Sequence, residues 1–377
     1  MINMKFIHIS DLHLGKRVYE YSMIEEQKNA LNQIIETAGR HMIDGILIAG
    51  DIYDKPVPPV EAVSLFDEFL MKIREKGMKV FVISGNHDSA ERIAFGADIF
   101  SSDKIYISKP YEGVIQSVES EDEYGRLAIH LIPFLKPAHV RKCFPDLDIN
   151  DYNSALRAVV EHMDIDESKR NVVLVHQFIT GAERSESEEM FLGGLDNVDF
   201  DIFEQFDYVA LGHIHKPQAM GKRTVRYSGA PVKYALDEVN QKKSMTLVEL
   251  KEKGDVLVEQ IPFKPVHDMR RITGTYLELT DRNNYVGTGT DDYIHAVLTD
   301  ESDIPDALRK LRVIYPNILK LEYDNKRTRE KRSVVKQEAV RNRQPSEYIE
   351  ELYRLQNNDD MSEVQAKIVK DLLEDIQ

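Results

Sequence analysis

The stretch Lys79-Val80-Phe81-Val82-Ile83-Ser84-Gly85-Asn86-His87-Asp88 decides how this chain is read. Its apolar run predicts a buried strand, and Gly85 permits a sharp turn where that strand ends. Asn86 and His87 then stand on a loop at a strand's C-terminal edge, where α/β proteins place their chemistry. Asn, Gly and Asp are also ordinary turn residues, so the tetrapeptide alone reads equally as a bare turn. Four similar clusters elsewhere, each behind an apolar strand, give it weight.

Working outward, Met4 to Ile9 is a short apolar strand that ends in Ser10-Asp11-Leu12-His13-Leu14-Gly15. From about Glu25 to Met42, Leu31, Ile34, Ile35 and Ala38 fall at helical spacing. Gly45 to Ala49 is a second buried strand, ending in Gly50-Asp51-Ile52-Tyr53-Asp54. A helix after Pro59 carries Val63, Phe66, Phe69, Leu70 and Ile73 on one face and stops at Gly77. This alternation indicates a largely parallel sheet at the start. Later strands read as more mixed: Leu127 to Ile132, Asn171 to Val175 and Tyr208 to Leu211. They end in Pro133, in His176-Gln177-Phe178 and in Gly212-His213-Ile214-His215. The acidic stretch Gly181 to Asp199 reads as a surface loop. Strands near Val225–Ser228, Met245–Leu250 and Val256–Ile261 close this unit, residues 1–262, and Phe263-Lys264-Pro265 reads as a boundary.

Residues 266–325 read as a small α+β unit, with strands over Thr275–Leu279, Ile294–Leu298 and Leu319–Tyr323 and a helix over Asp306–Ile314. The remainder, 326–377, changes composition abruptly. Lys326 to Arg343 holds eight basic and two acidic residues, and Gln344 to Gln377 three basic and nine acidic. Pro345-Ser346 can start one amphipathic helix, and the capping-box signature of Ser362 and Gln365 a second. Two such helices make no core of their own and must dock on the small unit or on another protein.

Composition sets bounds. The 42% hydrophobic content excludes a disordered chain. A single cysteine, Cys143, excludes an internal disulfide and fits a reducing, cytoplasmic compartment. No signal-like segment opens the chain, and no apolar stretch approaches the roughly 18 residues of a membrane span. The net charge of -16 argues against holding nucleic acid by a global positive field. A phosphate-bearing substrate must be attracted locally, by cations, a basic patch or a partner.

The strand-end residues Asp11, His13, Asp51, Asn86, His176, His213 and His215 form a mixed oxygen/nitrogen donor set, without thiolate, that suits manganese, iron or zinc. Taken singly, each has a structural reading: Asp-x-His recurs by chance, Gly-Asp-x-x-Asp is a turn with a helix cap, and His176 is a core histidine. Gly-His-x-His is stronger, since a period of two puts both rings on one face. All five clusters together point to metal. Seven donors exceed the needs of one ion, and a shared carboxylate suits two ions about 3.5–4 Å apart. Asp51 is the natural bridge.

This pattern of D-x-H, G-D-x-x-D, G-N-H-D, a lone His and G-H-x-H resembles the calcineurin-like metallophosphoesterases. The stretches Ile9 to Gly15, Gly212-His213-Ile214-His215-Lys216-Pro217-Gln218 and Tyr227-Ser228-Gly229-Ala230-Pro231 are similar to the family's DNA-processing nucleases. The resemblance implies an α/β fold, a β-sandwich flanked by helices, with a small α+β capping domain and a helical tail. It implies that Asp11, His13, Asp51 and His215 hold one ion, and Asp51, Asn86, His176 and His213 the other, with Mn2+ preferred. His87 would protonate the leaving group and Asp54 would orient it, although some nuclease relatives carry histidine at that place. It also implies 3'-5' exonuclease and hairpin or single-strand endonuclease action on DNA. A coiled-coil ATPase partner would be bound by the tail helices, and a homodimer would sit within a heterotetramer. The helix Glu61–Ile73 and the segment Ile93–Phe100 are candidate dimer surfaces, though core packing accounts for their apolar residues equally well. The same fold serves phosphatases and small-molecule phosphodiesterases. Lys55-Pro56 after Asp54, and Asp88 in place of glutamate, depart from the protein-phosphatase pattern.

Overall fold

The computed structural model describes residues 3–188 and 196–326, and beyond these only 328–329, 349–350, 353–354, 360–362, 364–366 and 368–369. Nearly all of the basic run, and most of the two tail helices expected after it, lie outside the described residues.

Two six-stranded sheets pack face to face. The first runs in the order Val256–Pro262, Ser244–Leu250, Met4–Ile9, Gly45–Ala49, Lys79–Ile83, Ile105–Ile107. The second runs Gln218–Met220, Lys222–Tyr227, Tyr208–Gly212, Arg170–His176, Gly125–Leu131, Gln116–Asp122. Phe6, Leu47, Phe81, Ile129, Leu174 and Tyr208 fill the space between them. The outer face of the first sheet is covered by the helices Ile24–His41 and Val60–Glu75, and that of the second by Tyr152–Glu161. This is a β-sandwich flanked by helices.

The strands expected to be parallel at the start are parallel. The later ones are less mixed than their sequence suggests. Gly125–Leu131, Arg170–His176, Tyr208–Gly212 and Lys222–Tyr227 are mutually parallel, and antiparallel partners occur only at the edges of that sheet. The run Val172-Val173-Leu174-Val175 is buried on both faces, as a central parallel strand must be. Because the central strands are parallel within each sheet, their C-terminal ends gather at one edge of the sandwich, and the five clusters lie there.

Met269–Gly274, Tyr293–Leu298 and Ile318–Tyr323 form a parallel three-stranded sheet. Here one expectation is corrected. Thr275–Leu279 is not a strand: Thr275 caps the short helix Tyr276–Thr280 through a capping box with Glu278, and the strand lies just before it. A second correction concerns Gly181–Asp199. Among its described residues Ser185 and Glu188 are buried, and Asn197–Val198 pairs with Phe178–Ile179, so this stretch is no simple surface loop. The edge strand Gln116–Asp122 and the short helix Pro137–Cys143 are elements that the sequence pattern does not announce. Tyr152–Glu161, also not among the expected elements, does carry the helical spacing of Tyr152, Ala155, Leu156, Val159 and Val160 behind an Asp151 cap.

Candidate metal centre

The apolar strands deliver their polar ends to one place. Asp11, His13, Asp51, His176, His213 and His215 are all buried, each 5% exposed or less. Asn86 Oδ1 lies 3.0 Å from both His176 Nε2 and His213 Nδ1, so these three meet at one point. At a second point His13 Nε2 stands 3.0 Å from His215 Nε2, and the ligating atoms of Asp11 cluster with both. Asp51 lies between: its Oδ2 is 3.3 Å from His176 Nε2 and 3.6 Å from His13 Nε2. The seven expected donors thus come together as two groups around one carboxylate. A metal fits this arrangement, since nitrogen and oxygen lone pairs converge without enough protons to pair them all, and the buried His13 Nδ1 has no hydrogen-bond partner among the described residues.

Close packing and backbone strain hold the cluster. Asp11, His13, Asp51 and His213 have φ of 54°, 44°, 49° and 102°, a left-handed region that costs a side-chain-bearing residue of order 1–3 kcal/mol. Such strain persists where the surroundings over-determine it. Gly212 passes so close to Ala49 that any Cβ would overlap the Ala49 carbonyl oxygen, and a Cβ on Gly85 would overlap the Asp51 carboxylate. The missing side chain at Gly212 lets the second sheet approach the first at the rim, and the missing side chain at Gly85 lets two neighbouring strand ends of the first sheet close on each other.

Hydrogen bonds set the protons. His176 Nδ1 faces the Ala49 carbonyl at 2.8 Å and must donate to it, which leaves Nε2 to face Asp51 and Asn86. Burial disfavours the charged imidazole, but the Asp51 charge prevails and His176 is pushed up to about 9. Burial would raise Asp51 in turn, yet the His176 charge and hydrogen bond hold its carboxyl well below the usual range. Asp11 is raised, chiefly by burial. A cation beside these carboxylates would serve the role that protonated imidazole serves here.

The neighbours of the cluster take distinct places. His87 Nδ1 lies 3.0 Å from the main-chain oxygen of Asp54, so the contact that orients the ring is made by that residue's backbone. The Asp54 carboxylate receives Lys16 Nζ at 2.7 Å and lies 3.8 Å from His13 Nδ1. Asp88 accepts from the backbone N–H groups of Ile52, Tyr53 and Gly85 at 3.1, 3.0 and 2.9 Å, stapling the Asp51 loop to the Asn86 loop. Burial raises its carboxyl to about 6. Sequence reasoning missed Ser187, Glu188, Glu238 and Lys243, which surround His215. They sit in stretches with no period and no recognisable spacing, so no sequence signal singles them out.

The chain resembles known proteins along nearly its whole length. The family model of calcineurin-like phosphoesterases matches residues 4–217, and a model described as type 5 capsule protein repressor C-terminal domain matches residues 265–357. The D-type component of the SbcCD nuclease from Staphylococcus epidermidis is 32% identical over 98% of this chain and 98% of its own length. Among solved structures, a dimetal phosphatase from Danio rerio aligns over 70% of this chain and 97% of its own, with a TM-score of 0.43 and 11% identity. A protein of Thermus thermophilus aligns over 69% and 99%, with a TM-score of 0.39 and 11% identity.

Proposed function

The chain belongs to the calcineurin-like phosphoesterase family and, over nearly its whole length, to the SbcD branch of the SbcCD nucleases, and on that footing we propose that it is a two-metal DNA nuclease. One observation supports this above others: Asp51 Oδ2 stands within 3.6 Å of a nitrogen from each donor group, as a carboxylate shared by two cations does. Asp11, His13, Asp51 and His215 would hold one ion, and Asp51, Asn86, His176 and His213 the other. Manganese suits this donor set, as do iron and zinc, and is the family's usual choice.

Bound there, the ions would supply Lewis acidity toward the phosphodiester and an acidified water. The two carboxylates Asp11 and Asp51 offset only half of the charge of two dications. A surplus of about two positive charges is left to attract a phosphodiester to a protein of net charge -16. His87 Nδ1–H donates a hydrogen bond to the Asp54 carbonyl, and as the imidazolium the ring would hand its Nε2 proton to the departing oxygen, leaving the neutral Nδ1–H tautomer. Asp88 holds the loop on which Asn86 and His87 stand.

On this reading the substrate is DNA, cut as a 3'-5' exonuclease on duplex ends and as an endonuclease on hairpins and single strands, in end processing, repair and recombination in the cytoplasm. Among the described residues no helix is long and apolar enough to cross a membrane. The chain divides into a nuclease domain, 1–262, a capping domain, 266–325, and a linker with partner-binding helices, 326–377. An SbcC-type coiled-coil ATPase is the partner for those helices. A homodimer would use the surface around Phe95 and Ile99, which are 82% and 73% exposed.

The test compares manganese-dependent nucleotide release from a blunt duplex and nicking of a DNA hairpin with hydrolysis of a simple phosphomonoester. Preference for DNA is expected. Turnover of the monoester with inert DNA would make the protein a phosphatase.

A further inference from the structure

A fully buried carboxylate and a buried ammonium stand beside the seven donors without belonging to them. Glu238 is 0% exposed and its Oε2 lies 2.7 Å from Lys243 Nζ. Oε2 also accepts from the backbone N–H of Tyr234 at 3.0 Å, while Oε1 accepts from the hydroxyls of Ser185 and Ser187. A carboxylate only accepts, so the Ser187 hydroxyl proton points at Glu238 and its lone pair faces His215 Nδ1, 2.6 Å away. Nδ1 must then carry the ring proton. The Nε2 lone pair is left facing His13.

The main chain of His215 is held as tightly. Its N–H donates to Glu188 Oε1 at 2.6 Å, and its carbonyl accepts from Lys243 Nζ at 2.9 Å. Tautomer, ring orientation and backbone are each set by a group outside the donor set. Stability is a poor reason for such a device, because the desolvation of a buried ion pair offsets much of its attraction and an apolar pair serves a core as well or better. Outer partners of a ligating histidine, by contrast, govern its basicity and aim.

We infer that Glu238, acting through Ser187, is a positioning residue that prepares His215 to bind a cation, with Lys243 keeping that carboxylate charged and in place; the inference rests on the two-metal reading above. The test is calorimetric titration of the full chain with Mn2+, beside its melting temperature without metal. Ser187→Ala breaks the relay and leaves the Glu238–Lys243 pair intact. Glu238→Gln strands the Lys243 charge, so Glu238→Gln/Lys243→Met is made with it to keep the interior neutral. The expected result is one binding step weakened about 10–100-fold in Ser187→Ala and in the double variant, with the other step within about twofold of wild type. Two steps of wild-type affinity in both folded variants, or equal weakening of both steps, would overturn the inference alone. A wild-type chain that takes up fewer than two ions would overturn the two-metal reading, and this inference with it.

Discussion

The Nε2 atoms of His13 and His215 stand 3.0 Å apart, and both rings are buried. With the His215 proton committed to Ser187 on the Nδ1 side, only His13 can supply a proton between the two Nε2 atoms. His13 Nδ1 is then a bare buried nitrogen, 3.8 Å from the Asp54 carboxylate. A cation lying between the Nε2 atoms would drive the His13 proton to Nδ1, toward that carboxylate. A metal ion held here would relieve both the unsatisfied nitrogen and the short contact.

Gly212 tests whether the approach of the two sheets is required. Gly212→Ala forces a methyl against the Ala49 carbonyl oxygen and the His176 ring. A loss of about 1–3 kcal/mol or more in denaturant unfolding is expected, together with weaker Mn2+ binding. Gly77→Ala is the control: φ is 71° and no atom of the described residues lies near the added Cβ, so only the left-handed penalty of about 1–2 kcal/mol applies, with metal binding unchanged.

Although one of its ring nitrogens clusters with ligand atoms of His13 and Asp54, His87 is outside both proposed donor groups, so His87→Ala should retain both ions and lose DNA cleavage by about 100-fold or more. Metal content is read by elemental analysis and activity by single-turnover cleavage. Wild-type cleavage at wild-type metal content would remove His87 from the mechanism, and loss of metal would make it a ligand.

The five clusters were legible in the sequence because each is contiguous and follows an apolar strand, so the side chains could be placed at strand ends without tertiary information. The left-handed backbone at Asp11, His13, Asp51 and His213 was not legible, since aspartate and histidine carry no mark of the strain they bear. Gln116–Asp122 reads Gln-Ser-Val-Glu-Ser-Glu-Asp, an edge strand with too little apolar surface to announce itself. Thr275–Leu279 has strand-forming composition, but the bond between Thr275 and the Glu278 N–H turns it into a helix. Ser187 and Glu238 are distant in sequence and meet only through the fold.

Away from the site, Arg170 and Asp122 form a nearly buried pair, with Nη1 3.1 Å from Oδ2. Burial would raise the Asp122 carboxyl, but the Arg170 hydrogen bonds and the backbone N–H groups of Tyr124 and Met4 hold it below the usual range. The stability this supplies is full above the unfolded carboxylate value of about 4 and is lost as pH falls through the lower folded value. Asp122→Ala leaves the guanidinium buried without its counter-charge and should cost about 3 kcal/mol at about pH 7. The deficit relative to wild type should narrow in urea unfolding series taken below about pH 4. A deficit that stays constant from neutral pH down through the carboxylate range would contradict this account.

Deletion of residues 344–377 should leave the melting temperature and manganese-dependent cleavage of short DNA nearly intact, while abolishing co-purification with the coiled-coil ATPase. Retained co-purification, or collapse of the truncated chain, would return those helices to the chain's own core.

The proposed bridging role of Asp51 is the centre of the account, and anomalous diffraction at the manganese edge tests it directly. Crystals soaked in Mn2+ should show two peaks about 3.5–4 Å apart. One should lie against His13 and His215, the other against Asn86, His176 and His213, with Asp51 touching both. Asp51→Asn crystals treated alike should lose density at both positions, whereas His13→Ala should lose it chiefly at one. A single peak in the wild type, or two full peaks in Asp51→Asn, would contradict the account.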